Sequence, residues 1–197
     1  IQPGTFAAVT GPSGCGKSTL LFIAGALLHP DQGRVEIGGE DLLNLPSRQS
    51  APKRVELIGY VFQRFHLLPY LTVEENIKSA AVAAPAELVE DPDSRADQLM
   101  KQLHLDSRGD HLPSEISVGE MQRTGVARAL FNKPSVLLAD EPTGNIDPDN
   151  AEIVLDTFVD FARAGGTVLM TTHHQTAAKY ADKTWRLEDG VLQETQQ

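Results

Sequence analysis

Nine consecutive residues carry the strongest chemical signal in the chain: Gly11-Pro12-Ser13-Gly14-Cys15-Gly16-Lys17-Ser18-Thr19. They fit the pattern G-x-x-x-x-G-K-[ST], set between an apolar run, Phe6 to Thr10, and a stretch of helical character from about Lys17 to Leu28. Glycine lets a main chain wrap closely enough for several N–H groups to aim at phosphate oxygens, and the following helix N-terminus adds favourable dipole charge. In such a loop Gly11, Ser13, Gly14, Cys15 and Gly16 line the anion. Lys17 reaches the β- and γ-phosphates, Ser18 holds Mg²⁺, and Thr19 bonds a nearer phosphate. Cys15 fills a variable position and reads as a tolerated small residue rather than a redox switch, although a helix N-terminus lowers a thiol pKa.

A second run, Val136-Leu137-Leu138-Ala139, ends in Asp140-Glu141. Ligands of open α/β sheets bind at strand carboxyl ends, so two acids there are placed for chemistry. Asp140 would orient Mg²⁺ through its water shell, and Glu141 would polarise an attacking water. Alone, such a pair is an ordinary helix cap or solvated turn; beside a phosphate loop it reads as catalytic. Shorter stretches stand in order around these two: Gly59-Tyr60-Val61-Phe62-Gln63, Ile116-Ser117-Val118-Gly119-Glu120-Met121-Gln122-Arg123, Gly144-Asn145-Ile146-Asp147 and Thr172-His173.

In order and spacing, over nearly the whole chain, these stretches resemble the nucleotide-binding domain of ATP-binding cassette (ABC) proteins. The resemblance implies an ATP hydrolase that uses ATP and Mg²⁺, works as a homodimer or beside a paired ABC ATPase, and drives integral-membrane permease subunits. Its place would be cytoplasmic, peripheral on the inner face of the cell membrane. Gln63 would end a strand and touch Mg²⁺ or the attacking water through its amide, where the plainer reading is a polar strand terminus. His173 would hydrogen-bond the γ-phosphate, against the plainer reading of His173-His174 as a surface pair. Asp147 would sit in a loop exchanged across a subunit interface while also capping its own helix. Ser117 and Gly119 would bind the γ-phosphate of ATP held by the opposite subunit.

The chain departs from the family's Leu-Ser-Gly-Gly-Gln at Ile116, Val118 and Glu120. Ser117-x-x-Glu120 makes a capping box, which draws on the Ser117 hydroxyl, and Glu120 sets a negative charge near a phosphate unless its side chain folds back. His174 stands where the family often has an acid. The family's adenine-stacking aromatic precedes the first strand, and is expected outside this chain, which opens on Ile1 and reads as a fragment. The segment Arg64 to Val73 would border the groove for a permease helix, with most of its apolar side chains expected in the lobe's own core. Glu141-Pro142-Thr143-Gly144-Asn145-Ile146-Asp147 resembles the branch of lipoprotein-releasing, macrolide-export and cell-division-type ATPases.

Elements must position these residues. The apolar runs Phe6 to Thr10, Val136 to Ala139 and Thr167 to Thr171 suit strands buried on both faces of a parallel sheet. Shorter strands are expected at Gly33 to Gly39 and Leu57 to Phe62, and a closing hairpin at Thr184 to Glu188 and Val191 to Glu194, turning on Asp189-Gly190. Asp147-Pro148 opens a helix that Gly165-Gly166 closes, with Ala151, Val154, Phe158 and Ala162 on one face. From Arg64 to Ser117 only helical stretches emerge, near Thr72 to Ala84 and Asp93 to Leu103. The expected fold class is α/β, a P-loop NTPase core with a mainly parallel sheet and an inserted helical subdomain. Residues 1–63 and 118–197 form the core of this single domain, and about 64–117 the lobe.

Composition narrows the field. With 197 residues, 41% apolar and 22% charged, the chain is ordinary globular material. Acidic residues outnumber basic ones 27 to 17, a formal charge of −10, so no nucleic-acid partner is expected. The lone Cys15 excludes an internal disulfide. The longest apolar run, Leu20 to Leu28, falls far short of the roughly 20 residues a spanning helix needs. Two rival readings remain: a soluble cassette ATPase acting on DNA or ribosomes, which the acidic charge disfavours, and a low-turnover regulatory nucleotide binder, prompted by Val118 and Glu120.

Overall fold

The computed structural model describes residues 1–85 and 88–195. Six strands form one sheet in the order β4-β5-β6-β1-β7-β8: β4 Ile58–Val61, β5 Val136–Asp140, β6 Thr167–Thr172, β1 Phe6–Thr10, β7 Lys183–Glu188 and β8 Val191–Thr195. The first five run parallel, and β8 turns back antiparallel along β7. This is the mainly parallel α/β architecture that the apolar runs call for.

Period-two alternation divides the core between the two faces of the sheet. Phe6, Ala8, Leu137, Ala139, Val168 and Met170 point to one face, where they meet Val154 and Phe158 of helix α6 (Pro148–Arg163) and Val126 of helix α5 (Val118–Leu130). Phe6 and Phe158 meet edge to face, with ring centroids 6.1 Å apart. Ala7, Val9, Leu138 and Leu169 point to the other face, against Leu21 of helix α1 (Lys17–Ala24) and Leu42. Because both faces are covered, the strands need no polar positions until they reach their carboxyl ends.

Three elements differ from the sequence expectation. Helix α1 stops at Ala24 because Gly25 ends it, wedged where a Cβ would press on the Leu138 and Tyr60 side chains at 3.1 and 3.2 Å. The strand expected over Gly33 to Gly39 shrinks to β2 (Glu36–Ile37), which turns at Gly38-Gly39 and pairs with β3 (Glu40–Asp41) outside the main sheet. Helix α2 (Ser47–Leu57) gave no periodic signal, since it is strongly polar and carries Pro52 inside it.

Between β4 and β5 the described residues form no strand. They fold into α3 (Val73–Lys78), a 3₁₀ turn (Ser79–Ala83), α4 (Pro92–Gln102), a second 3₁₀ turn (Pro113–Glu115) and then α5. The segment ahead of α3 is held by polar bonds more than by apolar packing. Asn76, fully buried, accepts from the Leu68 N–H at 2.7 Å and donates to the carbonyls of Leu68, Leu71 and Thr72. Leu68 and Tyr70 are therefore free to stay exposed, Tyr70 at 73%, contrary to the expectation that this segment is mostly core.

Candidate active site

All five parallel strands present their carboxyl ends along one edge of the sheet, the edge where open α/β sheets bind ligands. The phosphate-type loop follows β1, Gln63 follows β4, Glu141 follows β5 and His173 follows β6.

The loop is built around the start of α1. Gly16 caps that helix in the left-handed region (φ 103°), a conformation that favours glycine because it has no Cβ. The first intrahelical bond there runs from Leu20 N–H to the Gly16 carbonyl at 2.9 Å, so the N–H groups of Lys17, Ser18 and Thr19 lie ahead of it, and the helix has no side-chain cap. Gly11 lacks room for a side chain, since a Cβ would run into the Leu187 carbonyl and stand 2.8 Å from Cys15 Sγ. Lys17, only 6% exposed, curls back and donates from Nζ to the carbonyls of Gly11 and Pro12, each at 3.0 Å. Ser13 and Gly14 are exposed at the tip, and Cys15 is a half-buried free thiol.

Asp140 is buried at the end of β5 and accepts the Thr171 hydroxyl at 2.6 Å. Glu141 takes a left-handed backbone (φ 47°), fixed by its N–H to the Thr171 carbonyl at 3.0 Å and by Gly144 N–H returning to its own carbonyl at 3.2 Å. Its carboxylate, 11% exposed, stands 3.6 Å from Lys17 Nζ on one oxygen and contacts His173 Nδ1 with the other. The His173 ring lies against His174, with centroids 4.0 Å apart and the planes tilted by 39°. Among the described residues no group of three or more His, Cys, Asp or Glu is arranged to hold a metal by itself.

A second set of candidates gathers elsewhere, at the N-termini of α5 and α6. Ser117 caps α5, its hydroxyl accepting from the Glu120 N–H at 3.2 Å while Glu120 Oε2 accepts from the Ser117 N–H at 2.7 Å. Asp147 caps α6 by accepting from Asn150 N–H at 3.0 Å and from the Asn150 carboxamide at 2.6 Å. Those bonds hold the exposed Asp147 carboxyl below the usual carboxylate range, the backbone bond from Asn150 most of all. The two helices touch where Gly119 faces Asn150, whose carboxamide fills the space a Gly119 side chain would need. Among the described residues no hydrogen bond or ion pair ties Ser117, Gly119 or Asp147 to the Lys17 loop. By their bonds the candidates fall into two groups.

Gln63 is exposed, two residues beyond the Val61–Ala139 pairing, on the same sheet edge as Asp140. Its loop is fixed by Arg128 of α5, which donates to the carbonyls of Phe65 and His66, each at 2.6 Å. Sequence reasoning missed Arg128, Thr171 and Asn150. Thr171 meets Asp140 only through the β5–β6 pairing of the folded sheet.

The sequence model of the family described as "ABC transporter" matches residues 1–144. The chain belongs to the ABC transporter family. This cassette is 44% identical over 193 residues to the lipoprotein-releasing system ATP-binding protein LolD 1 of Rhodopirellula baltica, covering 98% of this chain and 84% of that protein. It is 39% identical to the macrolide export ATP-binding/permease protein MacB of Wolinella succinogenes, covering 100% of this chain and only 30% of MacB. In structure it matches the ATP-binding cassette MJ0796, described as a dimeric post-hydrolysis state bound to ADP and Pi, with a TM-score of 0.91 at 34% identity over 99% of this chain and 86% of that one. The expected family, fold class and ATPase reading are borne out together. No helix of the cassette, among the described residues, is long and apolar enough to cross a membrane.

Proposed function

We propose that the cassette binds Mg-ATP between two head-to-tail subunits and hydrolyses it to drive integral-membrane permease subunits, sitting peripherally at the inner membrane face. The observation that supports this reading is the bonding pattern: among the described residues Lys17, Glu141 and His173 are tied to one another and Gly119 and Asp147 to Asn150, with no hydrogen bond or ion pair between the two groups, so in this reading each group meets the other's counterpart on a second copy. Two antiparallel copies pair them twice.

The site's residues fit the ligands. The free N–H groups at the α1 N-terminus, the Lys17 ammonium and Thr19 suit phosphate oxygens. The Ser18 hydroxyl, the Gln63 amide and the Asp140 carboxylate, with Thr171 occupying one of its oxygens, form a hard oxygen set of the kind Mg²⁺ prefers. These three would hold Mg²⁺, which would supply charge neutralisation for the phosphates. Nucleotide phosphate replaces the Gly11 and Pro12 carbonyls around Lys17, and Lys17 then moves its charge from Glu141 to the triphosphate. Glu141 is left to accept the proton of the attacking water. His173, tied to Glu141 on one ring nitrogen, offers its other nitrogen to the γ-phosphate. Ser117 and Gly119 of the partner subunit cover that phosphate from the far side, and Asp147 lies in the loop between the subunits. ATP favours the closed pair because only its γ-phosphate touches both subunits.

Residues 1–63 and 118–197 serve in this reading as the core, and 64–117 as the lobe that meets the permease. Phosphate release from purified cassette with Mg-ATP tests the enzyme directly. Release should be second order in cassette at low concentration, and Lys17→Ala should abolish it. Release that stays first order in cassette would contradict the shared site.

A further inference from the structure

Glu120 occupies the third position of α5, within the turn whose N–H groups would receive an incoming phosphate, and its charge is of the wrong sign for that task. The structure shows where the charge goes. One carboxylate oxygen takes the Ser117 N–H at 2.7 Å, and the other takes Arg108 Nε at 2.7 Å, leaving the Glu120 side chain 15% exposed. Burial alone would push this carboxyl up, but the Arg108 guanidinium and the Ser117 N–H and hydroxyl outweigh it and bring it down to about 2. The carboxylate is ionised, folded back and neutralised from one side.

Arg108 is not a casual surface partner. It sits in the loop after α4, and that loop is fastened to the N-terminus of α3: Glu74 N–H donates to the Gly109 carbonyl at 3.1 Å and Val73 N–H to the His111 carbonyl at 2.9 Å. Local turns close the loop on itself, from Arg108 N–H to the Leu105 carbonyl at 2.8 Å and from His111 N–H to the Arg108 carbonyl at 2.9 Å. The guanidinium therefore arrives at Glu120 from a fixed direction. The other cation near Glu120 is Arg123, buried on α5, but it shares its charge with Asp147. Meanwhile the N–H groups of Val118 and Gly119 precede the first α5 bond, from Met121 N–H to the Ser117 carbonyl at 2.9 Å, and have no partner within the helix.

We propose that Arg108 is a positioning residue for ATP capture: it holds the Glu120 carboxylate against its own helix, so that the α5 N-terminus faces a partner's nucleotide phosphate without a competing negative charge. This rests on the reading of Ser117 and Gly119 as ligands of the nucleotide bound across the dimer. It also ties that half-site to the helical lobe, because any shift of the α3 N-terminus carries Arg108 with it.

The test uses the Glu141→Gln cassette as parent and follows the ATP concentration that half-saturates dimer formation with Mg²⁺. Arg108→Ala should raise it about five- to tenfold, the scale of a like-charge contact at about 4 Å screened as in bulk water. ADP affinity of the single subunit should not move, because Arg108 lies away from the Lys17 loop. Arg108→Ala/Glu120→Gln should return to the value of Glu120→Gln alone, which a merely structural role for Arg108 would not produce. Failure of that rescue, or parent-like behaviour of Arg108→Ala, overturns the proposal while leaving the shared site standing. Ser117→Arg separates the two: if it dimerises at the parent's ATP concentration, the trans-ligand reading falls and this proposal falls with it.

Discussion

The Lys17 ammonium stands 3.6 Å from the Glu141 carboxylate, so the cation proposed to hold phosphate and the carboxylate proposed as the base are neighbours. Each keeps the other's charge compensated at low exposure, 6% and 11%. Nucleotide must divide this pair. Glu141→Gln keeps the shape and removes the negative charge, so Lys17 is released to phosphate more easily while the base is lost. ATP should bind at least as tightly, and phosphate release should fall by about 10²–10⁴-fold, the usual worth of a positioned general base. Equilibrium binding of a fluorescent ATP analogue and single-turnover phosphate release measure the two effects separately. A loss below threefold would remove Glu141 from the base role.

Thr171 supports both acids at once, through its hydroxyl to Asp140 and its carbonyl to the Glu141 N–H. Thr171→Val keeps the volume and removes the hydroxyl, leaving a buried carboxylate short of a donor. Unfolding free energy should drop by about 2 kcal/mol, the order expected for a hydrogen bond to a charged group. Thr171→Ser should recover most of it. Urea denaturation of the three proteins decides the matter, and equal midpoints for threonine and valine would contradict it.

Gly119→Ala places a methyl group where the Asn150 carboxamide now lies. Either α5 and α6 part slightly, or the Asn150 side chain swings away and Asp147 loses its carboxamide bond while keeping the one from the Asn150 N–H. The expected cost is about 1–3 kcal/mol of fold stability, as for other overpacked contacts. ATP-driven dimer formation should weaken beyond what that loss explains. Restored dimer formation in Gly119→Ala/Asn150→Gly would show that crowding is the cause.

Glu120 gives the cassette a defined response to acid. Its carboxyl falls from 4.5 to about 2 on folding, so the unfolded chain takes up a proton first as pH drops. The stabilisation is complete above about pH 4.5 and is lost as pH falls towards about 2. Glu120→Gln should therefore flatten the acid limb of a stability curve measured by chemical denaturation. An unchanged limb would mean that Glu120 is not held as the Arg108 and Ser117 bonds require.

Much of this was legible from the residues, and the exceptions share a cause. Strands buried on both faces announce themselves as unbroken apolar runs, so Phe6 to Thr10, Val136 to Ala139 and Thr167 to Thr171 were visible with their carboxyl-end motifs attached. The Ser117–Glu120 box was equally readable, because capping is local. Helix α2 was hidden because its few apolar residues, Ala51, Val55 and Leu57, make no sustained stripe among the polar ones and it contains Pro52. The supporting contacts were hidden because they are long-range: Arg128 reaches back to Phe65 and His66, Asn76 to Leu68, and Arg108 across from the lobe to Glu120. No spacing rule links residues that meet only after the sheet has folded.

The central claim is that one chain holds two halves of a site that only a second copy can complete. Size-exclusion chromatography of the Glu141→Gln cassette with Mg²⁺ tests it most directly. ATP should shift the protein to a dimer, while ADP, or ATP added to a Lys17→Ala/Glu141→Gln double variant, should leave it monomeric. A Glu141→Gln cassette that binds ATP and still elutes as a monomer would contradict the account.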